Sequence, residues 1–571
     1  MFRFNRPLRR LLPAAFVVMA LPSLAQTTAR PGNGPDWLGA QEAREDIRQL
    51  RTDLEATHPD PFLRAGGMVA FRKRFNDAEA AIPAAGIDRT AFVRLLRPLL
   101  AQVGDGHTWL DVKVSENDAQ VLVDLASVEE RLVVTGVYDP SQLSMVGATV
   151  QAIEGLPVAT LAERVGARQG YDNVYKNLEH LRGTVASANR LADLLERPAL
   201  TGPVSFQVLL PSGEPAVLKA PLRPGARTGR LTLPSRLHLP PVDGAGMAAG
   251  FLDEADQVGY LRLDSAIHYR EAFEMWQMQG MDATRFLDRV VEDVSGKKPS
   301  GSEAEKLALV PSVTERLISL MTQMKAHQTP LLIVDLRENQ GGQSVFADIL
   351  EYFLYPLDSI VRLDHGYQIP RYSSLYFQSH SSDTLAKVQA RTTPDFQIGD
   401  LDFTEMQQWS QLRSAPPSPE TLQRLRQEFL TQMHGLPSFA KALDQGSWNA
   451  VWTPRVVVLT SARTYSAGFD GVLQLHAHGA AVVGVPSSQA ANCFIDAVRF
   501  QLKHSGLTGS ISYKWSVGLP LEPQNGTLLH PDRELSYADF KKFNFDPHAT
   551  ILLALEFLSV PYPPAAENLK R

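Results

Sequence analysis

Two stretches of this chain each combine a short strand, a loop and a helix, and they restrict the fold more than any other feature. In LLIVDL (331–336) apolar residues fall on both faces of a short strand, a pattern that requires cover on each side. After RENQGG, the residues Val345, Phe346, Ile349, Leu350 and Phe353 recur at helical spacing. The second unit reads VVVLT, then SARTYS, then the helical AGFDGVLQLHAHG closing at Gly479, then a further strand, AAVVGV. Strands alternating with helices predict an α/β core with crossover connections. In such sheets the ligand crevice lies beyond the C-terminal ends of the strands. RENQGG and SARTYS both fall there.

Ahead of these units the chain changes character several times. It starts MFRFNRPLRRLLPAAFVVMALPSLAQ, with Arg3, Arg6, Arg9 and Arg10 before an apolar run from Leu11 to Leu21, and small residues before Gln26. Basic, apolar and small-residue regions in that order predict a secretory signal peptide over 1–25, cleaved after Ala25, whose apolar run is too short to span a membrane. The expected location is periplasmic or extracellular. Residues 26–36 read as a linker. Three helical stretches follow, the first stopped by Pro59 and Pro61, and predict a helical cap over 37–112 that ends in GDGHTWLDV. Residues 113–235 read as β-rich, with turn signals at Gly147, Gly155 and Ser212-Gly213. The α/β unit fills 236–562, interrupted by an insert at 356–452 in which PPSPETLQRLRQEFLTQM is expected to be helical, and 563–571 form a tail.

Composition excludes some functions. The formal net charge is −6 with no clustered basic face, so a nucleic-acid partner is not expected. Cys493 is the single cysteine, so no intrachain disulfide can form, and it reads as a small apolar residue. His476 and His478 form an H-x-H pair, too little for a metal site. No metal or cofactor is expected, and no membrane span follows the leader.

The chemistry resides in the two loops. Ser466 stands at the start of a helix, where its hydroxyl can cap the first-turn N–H groups or, alternatively, act as a nucleophile. Gly341-Gly342 can form a tight turn, or can let backbone N–H groups approach a ligand with no side chain in the way. Set side by side, the Gly341-Gly342 backbone and the Ala467 N–H could surround an oxyanion next to Ser466. A serine nucleophile needs a base. No lysine occurs between Ser466 and Lys503, and among fourteen histidines His107 stands at the junction of cap and remainder, flanked by Asp105 and Thr108. His58, in THPDPF, reads as packing at a helix stop.

At these residues the chain resembles the tail-specific, C-terminal-processing serine peptidases. LIVDLRENQGG is similar to that family's D-L-R-x-N-x-G-G loop, TYSAGF to its serine motif, and VVGVPSS to the strand and turn that follow. GDGHT resembles the Asp-x-His-Ser/Thr motif of the branch related to tricorn and to retinoid-binding repeats, and HPDRELSYADFKKFNFDPHATILLAL the terminal segment. The resemblance implies a crotonase-like (ClpP-like) α/β catalytic core, a PDZ-like β-rich domain and an N-terminal helical cap. It implies Ser466 as nucleophile and Gly341, Gly342 or Ala467 as oxyanion donors, with Asn339 in support. The stretch SSQAANCF, where the lysine-dyad branch carries its lysine, has none, so the histidine branch fits and His107 takes the base role. That branch also uses a downstream acid, for which Glu522 is the candidate and Asp105 and Asp532 are rivals. The chain departs from the branch at Gly106, where tricorn-type members can carry a polar residue, and in lacking a clear G-L-G-F loop in the PDZ-like stretch.

The function expected from these residues is an exported serine peptidase acting on a peptide or protein substrate through an acyl-enzyme. The rival is a non-catalytic protein on the same fold, holding an apolar ligand or peptide in the crevice, with Ser466 only a helix cap.

Overall fold

The computed structural model describes residues 36–112, 118–281, 283–362, 366–414, 417–446, 448–519, 521 and 527–562. The expected leader, the linker up to residue 35, the tail and Glu522 lie outside the described residues.

Helices α1 (Ala40–Thr57), α2 (Met68–Ala81) and α3 (Arg89–Ala101) come first. Ala43, Ile47, Leu50 and Leu54 recur on one face of α1 and bury against Phe71 and Phe75 of α2 and Phe92 and Leu96 of α3. α1 ends at His58, the last position before Pro59 makes a further turn impossible. The Asp88 carboxylate starts α3 by accepting the Ala91 N–H.

The next unit holds β1 (Val123–Val128), β2 (Arg131–Val137), β3 (Thr149–Ile153), β4 (Val204–Leu209) and β5 (Pro215–Ala220), antiparallel in the order β5-β4-β3-β2-β1. Helices α4 (Val158–Gly166), α5 (Val174–Val185) and α6 (Ala188–Leu194) bury Leu161, Leu178, Leu181 and Leu191 in the same core as these strands.

The remainder supplies β6 (Met247–Phe251), β7 (Val258–Leu263), β8 (Leu331–Asp335), β9 (Tyr367–Pro370), β10 (Arg455–Thr460), β11 (Ala481–Gly484), β12 (Asn492–Gln501), β13 (Thr508–Val517) and β14 (Arg533–Glu534). Its helices include α7 (Val345–Leu354), α8 (Pro419–His434), α9 (Ala467–Ala477) and α10 (Ala549–Phe557). The main sheet runs β6-β7-β8-β10-β11-β14, with β6 antiparallel to β7 and every other neighbouring pair parallel. All five residues of β8 are buried. Leu332, Val334, Val456 and Val458 pack with α7 and α9, whereas Ile333, Val457 and Leu459 pack with α10. Covering both faces is what the continuous apolar runs demand. The mixed α/β architecture thus agrees with the sequence reading.

A second, antiparallel sheet joins β9, β13 and β12. Trp109 and Leu110 add to its β13 edge, pairing with Ser510 and Gly509. That short pairing fixes the position of His107, two residues upstream. Within the insert, β9 extends the same sheet, and Ser418 caps α8, which has a proline in its first turn.

Candidate active site

Ser466 occupies a strained backbone conformation, φ 51° and ψ −130°, at the head of α9. A non-glycine residue held there costs about 1–3 kcal/mol and persists only when its surroundings impose it. They do so through several bonds. The Ser466 N–H donates to Gln489 Oε1 (2.6 Å), the Tyr465 N–H to the Asn339 carbonyl (3.0 Å), and Thr464 Oγ1 to the Leu336 carbonyl (2.9 Å). The hydroxyl makes no capping bond to the helix. The cap reading of Ser466 is therefore corrected, because a cap residue holds an extended φ and this one is turned to the opposite sign.

The glycine loop leaves β8 and lies directly against Ser466. Asn339 braces it, with Nδ2 donating to the Leu263 carbonyl (3.1 Å) and Oδ1 accepting the Gly341 N–H (3.0 Å). Gly341 has φ 106°, and a Cβ there would stand 2.5 Å from Ser466 Cβ. A Cβ on Gly342, at φ 143°, would meet the Ala266 carbonyl oxygen at 2.3 Å. Only glycine fits either position. Asn339 engages the Gly341 N–H, whereas the Gly342 and Ala467 N–H groups have no acceptor among the described residues.

His107 is buried, and its ring stacks on Tyr465, the residue preceding Ser466, with centroids 4.7 Å apart. Nδ1 lies 3.1 Å from the Tyr465 hydroxyl, which itself donates to Asp172 Oδ2 (2.7 Å). Asp172 Oδ1 also accepts the Gly106 N–H (3.2 Å), so one carboxylate ties the GDGHT loop to the serine motif. Nε2 of His107 is buried without a partner, and hence is not bonded to Ser466 Oγ. Burial raises the Asp172 carboxyl and pushes the Tyr465 phenol well above its ordinary value, so the phenol keeps its proton. Lys176 Nζ stands 3.1 Å from the Tyr465 ring centroid, and burial lowers its pKa to about 8.

Asp105 does not touch the His107 ring. Its Oδ1 accepts the His107 backbone N–H (2.5 Å), and its Oδ2 accepts Thr108 Oγ1 (2.5 Å) and faces His58 Nε2 (3.2 Å). Burial alone would raise its carboxyl, but the His58 hydrogen bond, the His58 and His107 charges and the Thr108 bond outweigh that and hold it below the usual range. It is a loop-forming residue, and it gives His58 a buried partner beyond the expected helix stop. Asp532 accepts the Val482 N–H (2.8 Å) and braces β11, so neither rival acid orients the imidazole. Tyr465, which contacts it, and Asp172 and Lys176, which contact Tyr465, went unpredicted. Tyr465 sat in plain view inside TYSAGF, whereas Asp172 and Lys176 lie in GYDNVYKN, which carries no local signal. Gly106 now has a reason: a Cβ there would fall 2.2 Å from the Tyr465 hydroxyl, which fills the space a polar side chain would need. Among the described residues no group of three His, Cys, Asp or Glu side chains is placed to hold a metal ion.

Residues 302–501 match the model of Peptidase family S41, a stretch that contains Gly341, Gly342 and Ser466 but not His107. No curated protein matches the chain. Among solved structures, mature CPAF complexed with lactacystin aligns with 91% of this chain and 98% of its own length, at 14% identity and a TM-score of 0.52. The photosystem II D1 C-terminal processing protease aligns with 87% of this chain and 94% of its own, at 12% identity and a TM-score of 0.38. Tricorn protease aligns with 91% of this chain and 36% of its own, at 11% identity and a TM-score of 0.32. The first of these shows a shared fold.

Proposed function

We propose that the chain, whose residues 302–501 match the model of Peptidase family S41, is a serine-type peptidase that cleaves peptide bonds through an acyl-enzyme on Ser466, with His107 as general base. The observation that carries this reading is the strained, uncapped Ser466 lying between the glycine loop and the tyrosine that bears His107. A mere helix cap would give no reason to maintain that strain.

The proton path follows from the hydrogen bonds. With its own proton committed to Asp172, the Tyr465 oxygen accepts from Nδ1–H of His107, which leaves the Nε2 lone pair as the basic site. As Ser466 Oγ attacks the scissile carbonyl, Nε2 takes the hydroxyl proton and then delivers it to the leaving amine. The tetrahedral oxyanion accepts from the Gly342 and Ala467 N–H groups, aided by the positive end of α9. Water then hydrolyses the ester by the same proton route.

This reading is tested by incubating the purified protein with an unstructured substrate such as casein and following new peptide ends by mass spectrometry. Absence of any cleavage would contradict it. The tyrosine link has its own test. Tyr465→Phe removes one hydrogen bond to the imidazole and is expected to lower kcat/KM by about tenfold to a hundredfold with little change in KM. The pH profile adds signs. Asp172→Asn withdraws a negative charge and should move the acid limb of kcat/KM to lower pH, whereas Lys176→Met withdraws a positive one and should move it to higher pH. Limbs that stay fixed in both variants would detach these residues from His107.

The architecture in this reading comprises a helical cap (37–112), a PDZ-like unit (113–235) and a crotonase-like catalytic core (236–562), and the protein is exported to the periplasm or beyond. Gln26 as the N-terminal residue of the mature protein, read by peptide sequencing, is the expected result.

A further inference from the structure

A cavity of about 880 Å³ opens where α3, the ends of α4, α5 and α6, and the turn joining β12 to β13 meet. Five arginines line it, Arg89, Arg94, Arg97, Arg168 and Arg190, against two aspartates, Asp111 and Asp193. Asp111 is already engaged by Arg499 and by Thr508 Oγ1. Asp193 alone receives Arg94 (2.7 Å), Arg168 (3.1 Å) and Arg97 (3.7 Å). Arg190 makes no ion pair among the described residues, and Arg89 donates to the neutral Ser505 carbonyl. Glu196 also stands 4.0 Å from Arg168, so the guanidinium groups here still outnumber the carboxylates they meet, in a chain whose formal net charge is −6. Burial lowers the Arg97 pKa, Asp193 opposes the change, and the charges of Arg168 and Arg190 add to it. Val93, Val165, Leu507 and a Trp109 that is 40% exposed supply apolar surface, beside the neutral polar side chains of Thr90, Gln169, Thr184, Ser187 and Asn189.

We propose that this cavity is a binding site for an amphipathic anion, whose carboxylate or phosphate head lies among the guanidiniums and whose apolar body lies against Trp109. Arginine suits such a head because its planar fork pairs two N–H groups with two oxygens. Neither Ser466 nor His107 lines the cavity, which joins the N-terminal helices to the β-rich unit and to the β12–β13 hairpin. Occupancy therefore bridges three parts of the chain.

The test is calorimetric titration of the full chain carrying Ser466→Ala, so that binding is read apart from any turnover at the serine. Octanoate, octyl phosphate and uncharged octanamide are the probes. We expect at least one of the two anions to bind, the comparison between them identifying the head group, and octanamide to bind at least tenfold more weakly. In the Arg190→Glu variant, whose changed side chain is exposed and outside the Asp193 ion pairs, the anion's affinity should fall at least tenfold while the melting temperature is unchanged. Trp109→Ala should weaken the octyl anion but leave the octanamide ratio intact. Anion binding that is absent at millimolar concentration, equalled by octanamide, or indifferent to Arg190→Glu would overturn the proposal, whatever the outcome for the peptidase reading.

Discussion

Replacing Ser466 with alanine is expected to lower kcat/KM by about 10⁴-fold or more while leaving the fold intact, because loss of the nucleophile in a catalytic serine unit removes nearly all turnover beyond binding and oxyanion stabilisation. The structure makes the second half of that expectation firm. The hydroxyl makes no helix-capping bond, so its removal breaks no cap, and alanine inherits the same φ of 51°. Ser466→Gly sharpens the comparison. Glycine adopts positive φ without strain, so this variant should be equally inactive yet more stable than wild type by about 1 kcal/mol or more. A stabilised but inactive glycine variant would mean that the strain is maintained for chemistry. Thermal denaturation and peptide hydrolysis, measured on the same preparations, check both statements. Had Ser466 been a cap, alanine would have cost about 1 kcal/mol and left activity alone.

Gly341→Ala is the second change expected to have a large effect. Its new methyl would stand 2.5 Å from Ser466 Cβ and 3.1 Å from the Ala467 nitrogen, and φ 106° is a region L side chains rarely adopt. Relief requires either the loop or the head of α9 to move. Both carry the proposed oxyanion donors, and a shift of one donor costs about a hundredfold or more in kcat. Loss of stability should be about 1–3 kcal/mol from the backbone conformation alone. A fall in kcat much larger than the change in KM is the expected pattern. Full activity in Gly341→Ala would show that the glycine loop is only a turn. The β12–β13 sheet and the N-terminal helices should be unaffected, because the clash is confined to the glycine loop and the head of α9.

What could be read from the sequence was what depends on local pattern. LLIVD and VVVLT are apolar at successive positions, and the sheet they form is covered on both faces, as that pattern requires. Gly341, Gly342 and Ser466 could be found because they lie where parallel strands end. Whether Ser466 capped α9 could not be read, since the sign of φ is set by neighbours such as Gln489 and Asn339 that the sequence does not place. His107 could be selected by its position at a junction, but its partner could not. The contact to Tyr465 and Asp172 joins three segments, and a tyrosine before a helix reads as an ordinary core aromatic. Asp105, adjacent in sequence to the GHT motif, is a rival to Glu522 for the acid role for that reason, and its carboxylate instead meets the His107 backbone N–H, the Thr108 hydroxyl and His58.

Activation of Ser466 by His107 is read by covalent labelling with a serine-directed phosphonate, located by peptide mass spectrometry. A single adduct on Ser466 is expected in the native protein, and its disappearance in His107→Ala protein that retains the native melting transition. Labelling of Ser466 at an undiminished rate without the imidazole, or no adduct on Ser466 at all, would contradict it.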